Sequence, residues 1–301
     1  MLLQGLTSAT YTPMTPDGEL NLSVIPDYVE YLIGKKLNAL YVCGTTGEGI
    51  SLTTDERKKL VDAFVTAVNG RIPVVVQVGA NSVPECVALA AHAQRAGANA
   101  ISATAPSYYK VTTETALLDF MKRLAAGAAD LPFYYYHIPS FTGAALDMAR
   151  FLKLAESEIP NLAGLKYTDT KVFEYQECLT MENGRFEVLW GCDEMLLSAL
   201  VVGAKGGIGS TYALIPSVYQ GILGAWERGD LPTARYLQLQ SWKYVRWCNA
   251  SGPFHAVQKY LLSLLGLEMG PCRVPLGNLS DAQKTKIAGE YKRYLDSSQE
   301  A

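Results

Sequence analysis

Eight short apolar or β-branched runs, each followed by a helical pattern, occupy about 230 of the 301 residues and predict an α/β fold. An unbroken eightfold rhythm fits a closed parallel (β/α)8 barrel, the TIM barrel, better than an open doubly wound sheet. Residues 1–230 make that barrel. Residues 231–301 carry further helical patterns and no low-complexity linker, so they read as a C-terminal helical extension packed on it. A chain this long, 49% hydrophobic and 18% charged, buries a core without a disulfide or metal staple.

The elements follow in order. Gly5 to Pro13 reads as the first strand and Ser23 to Lys35 as the first helix. Leu40 to Cys43 is the second strand, and Thr53 and Glu56 then stand in the spacing of a capping box. Val74 to Val78 is the third strand. The helix from Val83 to about Arg95 stops at Gly97, as a helix ending in a left-handed residue does. Ala100 to Ala105 is strand four, with a helix through Leu117 and Leu124 behind it. Phe133–Tyr136, Leu162–Tyr167, Val188–Trp190 and Gly207–Ser210 supply strands five to eight, and a helix from about Pro216 to Arg228 closes the last unit. The extension reads as helices around Ala234–Trp247, Ala256–Leu265 and Asp281–Leu295.

Composition excludes several functions. The 26 basic and 29 acidic residues give a net charge of −3, with no basic footprint for nucleic acid. No run approaches 18 apolar residues, so no membrane span is expected, and Met1 to Gly5 carries no leader pattern. The six cysteines are scattered without a Cys-x-x-Cys pair, and His92, His137 and His255 lie far apart. No metal centre, cofactor motif or disulfide framework is expected. The chain reads as a reduced cytoplasmic protein.

In such barrels chemistry sits at the C-terminal ends of the strands, which restricts the candidates. After strand two, Gly44-Thr45-Thr46-Gly47-Glu48-Gly49 offers amides and hydroxyls suited to a carboxylate or phosphate; the alternative is a tight glycine turn. Strand five ends in Tyr136, which shares a face with Tyr134 and opposes Tyr135, and can serve as a proton carrier or as packing. Strand six ends in Lys166. A lysine in an apolar strand needs a reason. It is a surface residue, a buried partner of Asp193 or Glu194, or an amine that attacks a ketone. Attack requires the neutral form, about 0.04% of an ordinary lysine at pH 7, and apolar surroundings favour that form. After strand seven, Asp193 and Glu194 can accept hydroxyl hydrogen bonds or cap a solvated helix start. Gly206 to Thr211 has the composition of a phosphate loop, or of glycines serving close packing.

Taken together, Gly44-Thr45-Thr46-Gly47-Glu48, Tyr136-x-Ile138-Pro139, Leu165-Lys166-x-Thr168 and Gly207-Ile208-Gly209-Ser210 resemble the N-acetylneuraminate lyase and dihydrodipicolinate synthase superfamily of Schiff-base barrel aldolases. The resemblance covers nearly the whole chain. It implies that Lys166 forms an imine with a pyruvyl keto carbon and that Tyr136 shuttles the proton. It further implies that Thr45 and Thr46 hold the pyruvyl carboxylate, and that Tyr108 supports Tyr136 across a subunit contact in a homotetramer. An imine drains carbanion charge as an enamine, so no metal is needed.

The synthase branch carries an arginine two residues after the proline of strand five; here that position is Phe141, which cannot clamp a carboxylate. The lyase branch carries Gly-x-Asp-Glu after strand seven, matched by Gly191, Asp193 and Glu194. The resemblance therefore implies cleavage of N-acetylneuraminate to pyruvate and N-acetylmannosamine, with Gly191, Asp193, Glu194, Ser210 and Thr168 on the sugar part. His137 stands where the superfamily often has asparagine and reads as packing behind the site. The rivals are an aldolase for another 2-keto-3-deoxy sugar acid, a dihydrodipicolinate synthase-like condensation, a barrel that binds a keto acid without turnover, and a sugar-phosphate isomerase. The isomerase leaves Lys166 and the Thr45-Thr46 loop unexplained.

Overall fold

Eight parallel strands close on themselves in chain order in the computed structural model, which describes residues 3–298. Met1 and Leu2, from the stretch read for a leader, and residues 299–301 of the expected extension lie outside the described residues. The strands are β1 (Gly5–Ala9), β2 (Ala39–Val42), β3 (Val74–Gln77), β4 (Ala100–Thr104), β5 (Phe133–His137), β6 (Leu162–Tyr167), β7 (Glu187–Trp190) and β8 (Gly206–Gly209). Closure is made by β1 and β8, paired from Gly5 with Gly206 to Ser8 with Gly209, so the sheet keeps no edge.

Several strand ends differ from expectation by a few residues. β1 stops at Ala9, with the Thr10 amide still donating to the Tyr41 carbonyl at 3.0 Å; Tyr11 to Pro13 then leave the sheet, and the Thr12 hydroxyl donates to the Gly47 carbonyl at 2.6 Å, tethering the loop after β2. β8 stops at Gly209, which leaves Ser210 just beyond the strand, in the bend that opens the next loop. β5 gains His137, whose carbonyl accepts the Thr168 amide at 2.8 Å.

Period-two alternation divides the apolar residues into two sets. Tyr41, Val75, Tyr134, Tyr136, Leu189 and Ile208 fill the barrel, while Tyr135, Leu165, Tyr167 and Trp190 face the surrounding helices. The helix Thr54–Val68 starts at the expected capping box, and Val83–Ala96 ends at Gly97 with φ of 89°. The extension comprises Leu231–Ser251, Phe254–Leu264 and Asp281–Ser298. The first of these packs on Pro216–Glu227, and the second reaches the barrel mouth. Among the described residues, no helix is long and apolar enough to cross a membrane.

Candidate active site

A cavity of about 610 Å³ opens at the C-terminal ends of the strands. Thr45, Thr46, Tyr136, Lys166, Thr168, Gly191, Asp193 and Ser210 all line it, so eight residues expected from strand ends converge there. Their convergence follows from register. Tyr136 on β5 pairs with Lys166 on β6, and Lys166 with Leu189 on β7, so all three side chains point inward at one level.

Lys166 is 4% exposed, which removes the surface reading. Among the described residues no carboxylate is in direct ion-pair contact with its Nζ, so it is not bridged to Asp193 or Glu194, although its charge still pulls the Asp193 pKa down against burial. Its Nζ instead lies 4.0 Å from the ring centre of Tyr136 and 4.4 Å from that of Tyr41. The amine thus meets two aromatic rings on one side and the cavity on the other. The Tyr136 hydroxyl is 3.3 Å from the Thr45 hydroxyl, so a phenol, an amine and the loop after β2 share one small volume.

That loop is held in an uncommon shape. Cys43 and Glu48, at its two ends, adopt left-handed φ values of 60° and 56°, each at a cost of order 1–3 kcal/mol for a residue with a side chain. Buried contacts enforce it. The Glu48 carboxylate accepts from Lys259 Nζ at 3.2 Å and from the Arg273 amide at 2.8 Å. Among the described residues, no protein acceptor takes the amides of Thr45 and Thr46. Two free amides and two hydroxyls beside a cavity can bind a carboxylate.

On the far wall, Asp193 is 5% exposed rather than solvated. Its carboxylate accepts from the Thr211 amide at 2.9 Å and the Thr211 hydroxyl at 2.6 Å. Burial pushes its pKa up from 3.8 to about 6; the Thr211 hydrogen bonds pull the other way, and neighbouring Glu194 adds to the rise. A Cβ at Gly209 would collide with this carboxylate, and one at Gly191 with the Thr168 hydroxyl. Glycine at both positions lets the wall close up. The Thr168 hydroxyl oxygen is buried and has no hydrogen-bond partner among the described residues, which leaves it open to a ligand. Among the described residues, no group of three His, Cys, Asp or Glu side chains is placed to hold a metal ion.

Comparison with known proteins agrees with this geometry. Residues 2–293 match the model of the dihydrodipicolinate synthetase family. A zebrafish (Danio rerio) N-acetylneuraminate lyase is 42% identical over 278 residues, 91% of each chain. The mouse (Mus musculus) N-acetylneuraminate lyase is 38% identical over 294 residues, 96% of this chain and 92% of its own. The solved Proteus mirabilis N-acetylneuraminate lyase superposes with a TM-score of 0.94 at 33% identity, covering 97% of this chain and 99% of that one.

The chain belongs to the dihydrodipicolinate synthetase family.

Within this family fold, three expected positions need separate comment. Glu194 is partly buried and does not line the cavity, because the short turn Asp193–Met195 points its neighbour Asp193 inward. Tyr108 is 77% exposed on the loop after β4, where it packs against Tyr109 at a ring distance of 5.1 Å, and it does not line the cavity either. His137 is fully buried behind the site, packed on the rings of Tyr135 and Tyr167. Burial pushes its pKa down to about 4, and at 3.9 Å its Nε2 is out of hydrogen-bond reach of Asp169. Phe141, 66% exposed, lines the mouth, so no guanidinium projects from the position of the synthase arginine.

Sequence reasoning missed Tyr41, Phe254 and His255 as parts of this site. Tyr41 was legible only as a strand residue; its inward parity was there to be read. Phe254 and His255 come from the extension, more than 200 residues from the loop they adjoin, and no local pattern marks them.

Proposed function

We propose that this chain is a Schiff-base aldolase that reversibly cleaves N-acetylneuraminate to pyruvate and N-acetylmannosamine. The observation that carries the reading is Lys166, a buried amine in no direct ion pair among the described residues, facing the cavity within reach of a tyrosine and of a loop with free amides. The names of the zebrafish, mouse and Proteus relatives support the substrate.

In this mechanism the Lys166 amine adds to the keto carbon of the open-chain sugar, and the hydroxyl so formed leaves as water with the proton of the Tyr136 phenol, giving a protonated imine and a tyrosinate. The hydroxyl proton on the carbon that becomes the aldehyde passes to the Tyr136 oxygen, with the Thr45 hydroxyl at 3.3 Å as its neighbour. The adjacent carbon–carbon bond breaks and its electron pair enters the imine to form an enamine, while N-acetylmannosamine departs. Proton return to the enamine carbon and hydrolysis release pyruvate and restore the amine. Thr45 and Thr46 hold the carboxylate throughout. Asp193, Ser210, Thr168 and the open backbone at Gly191 receive the hydroxylated part, with Glu194 next to Asp193 but outside the cavity lining.

The homotetramer implied by the resemblance would cover Tyr108 and Tyr109, which are 77% and 83% exposed side by side in the single chain. A cytoplasmic site of action is proposed on the six free cysteines.

Borohydride reduction in the presence of pyruvate, followed by peptide mass analysis, tests the reading. An adduct on Lys166, with pyruvate released from N-acetylneuraminate faster than from other 2-keto-3-deoxy sugar acids, is the expected result. No adduct on folded protein would overturn the imine mechanism. An adduct with a different preferred sugar acid would overturn the substrate.

A further inference from the structure

The loop that faces Lys166 is gripped from outside the barrel by one helix of the extension. His255 and Lys259 lie one turn apart on Phe254–Leu264, and both reach the loop after β2. Lys259 meets the Glu48 carboxylate, at the loop's end. His255 meets the Thr45 carbonyl, with Nε2 at 3.2 Å from the oxygen. That same carbonyl also accepts the Glu48 amide at 3.1 Å, so both of its lone pairs are engaged.

We propose that His255 is a positioning residue for keto-acid binding: by donating from Nε2 to the Thr45 carbonyl, it sets the peptide plane whose other end is the Thr46 amide.

The geometry makes this a stiff linkage. A trans peptide is planar, with its N–H directed opposite its C=O, so fixing the Thr45 oxygen fixes the direction of the Thr46 N–H. That N–H has no protein acceptor among the described residues, whereas the carbonyl has two donors. Only a carbonyl held from behind keeps an unpartnered amide oriented toward a ligand rather than free to turn into a commoner turn geometry. The imidazole is itself fixed, edge-on to Tyr11 at 6.2 Å and to Phe254 at 6.1 Å between ring centres. Burial lowers its pKa, so at neutral pH it is uncharged, and the Thr45 carbonyl selects the tautomer with the proton on Nε2.

This inference rests on the proposed Schiff-base function, and its test uses pyruvate alone so that the sugar specificity does not enter. The apparent Kd for pyruvate is read from the rate of borohydride inactivation against pyruvate concentration, and the rate at saturating pyruvate is read separately. His255→Gln keeps a donor that reaches the Thr45 carbonyl, whereas His255→Asn is one methylene too short, and His255→Phe keeps the ring without the donor. The Gln variant is expected within about twofold of wild type. The Asn and Phe variants are expected to weaken pyruvate binding roughly 2- to 10-fold, the worth of one hydrogen bond, with the saturating rate unchanged. Equal Kd values for the Gln and Asn variants would overturn the proposal, and so would a fall in saturating rate with unchanged Kd. Should His255→Phe fail to fold, the Gln–Asn comparison decides alone. A wild-type chain that traps no pyruvate would overturn the underlying function and this inference together.

Discussion

Asp193→Asn separates what the buried carboxylate costs the fold from what it contributes to the site. In the folded chain its pKa is raised by burial from 3.8 to about 6, against the opposing pull of the two Thr211 hydrogen bonds. Between those two values the folded chain holds a proton on Asp193 that the unfolded chain has released. Fewer protons bound in the unfolded state means that stability falls as pH rises through this window. At about 1.4 kcal/mol per tenfold change in proton affinity, the loss comes to about 3 kcal/mol and is complete a little above pH 6. Asparagine still accepts both Thr211 hydrogen bonds but does not titrate, so its own cost is independent of pH. Urea unfolding of both proteins from pH 4 to pH 7.5 should therefore show the variant gaining about 3 kcal/mol on wild type, nearly all of it between pH 4 and pH 6.5. On the activity side, losing a charged acceptor for substrate hydroxyls should lower kcat/KM about 10- to 100-fold, as expected for a hydrogen bond to a charged group. A stability difference that stays flat within about 0.5 kcal/mol over the whole range would refute the reasoning. The carboxylate would then be as well solvated in the fold as in the unfolded chain.

The opposite sign holds for His137. Burial lowers its pKa from 6.5 to about 4, so stability is fully present above pH 6.5 and is lost as pH falls toward 4, by about 3 kcal/mol. His137→Phe should flatten this part of the acid-unfolding profile, and an unchanged profile would show that the ring is not buried neutral. Lys259→Met leaves the Glu48 side chain, 0% exposed, without its cation and should cost about 3–5 kcal/mol in denaturant unfolding. Adding Glu48→Gln should restore part of that loss; a double variant no more stable than Lys259→Met would mean the pair is not coupled.

How much of this was legible in the sequence depends on the range over which each feature is determined. The strands were legible because period-two burial is written locally: Phe133 to Tyr136 alternate between barrel interior and helix layer as their spacing requires. The capping box at Thr53 and Glu56 and the end at Gly97 were equally local, each set by a side chain or a φ value within four residues. Lys166 could be singled out because a lysine breaks an apolar strand, and its position at the strand's C-terminal end gave the end of the barrel it serves.

Tertiary structure decided the rest, because the deciding partners are distant in the chain. Whether Lys166 was paired, exposed or free could be settled only by closing the sheet, which brings Tyr41 and Tyr136 over its amine and leaves Asp193 bonded to Thr211. Only the fold shows that Glu48 in the glycine loop is a buried anchor for Lys259, 211 residues away, or that His255 holds the Thr45 carbonyl across 210 residues. Residue type and spacing thus determine which faces are buried and where an anomalous side chain stands. Desolvation and hydrogen-bond partnership depend on what the closed barrel and its extension bring within about 4 Å, and no local pattern specifies that.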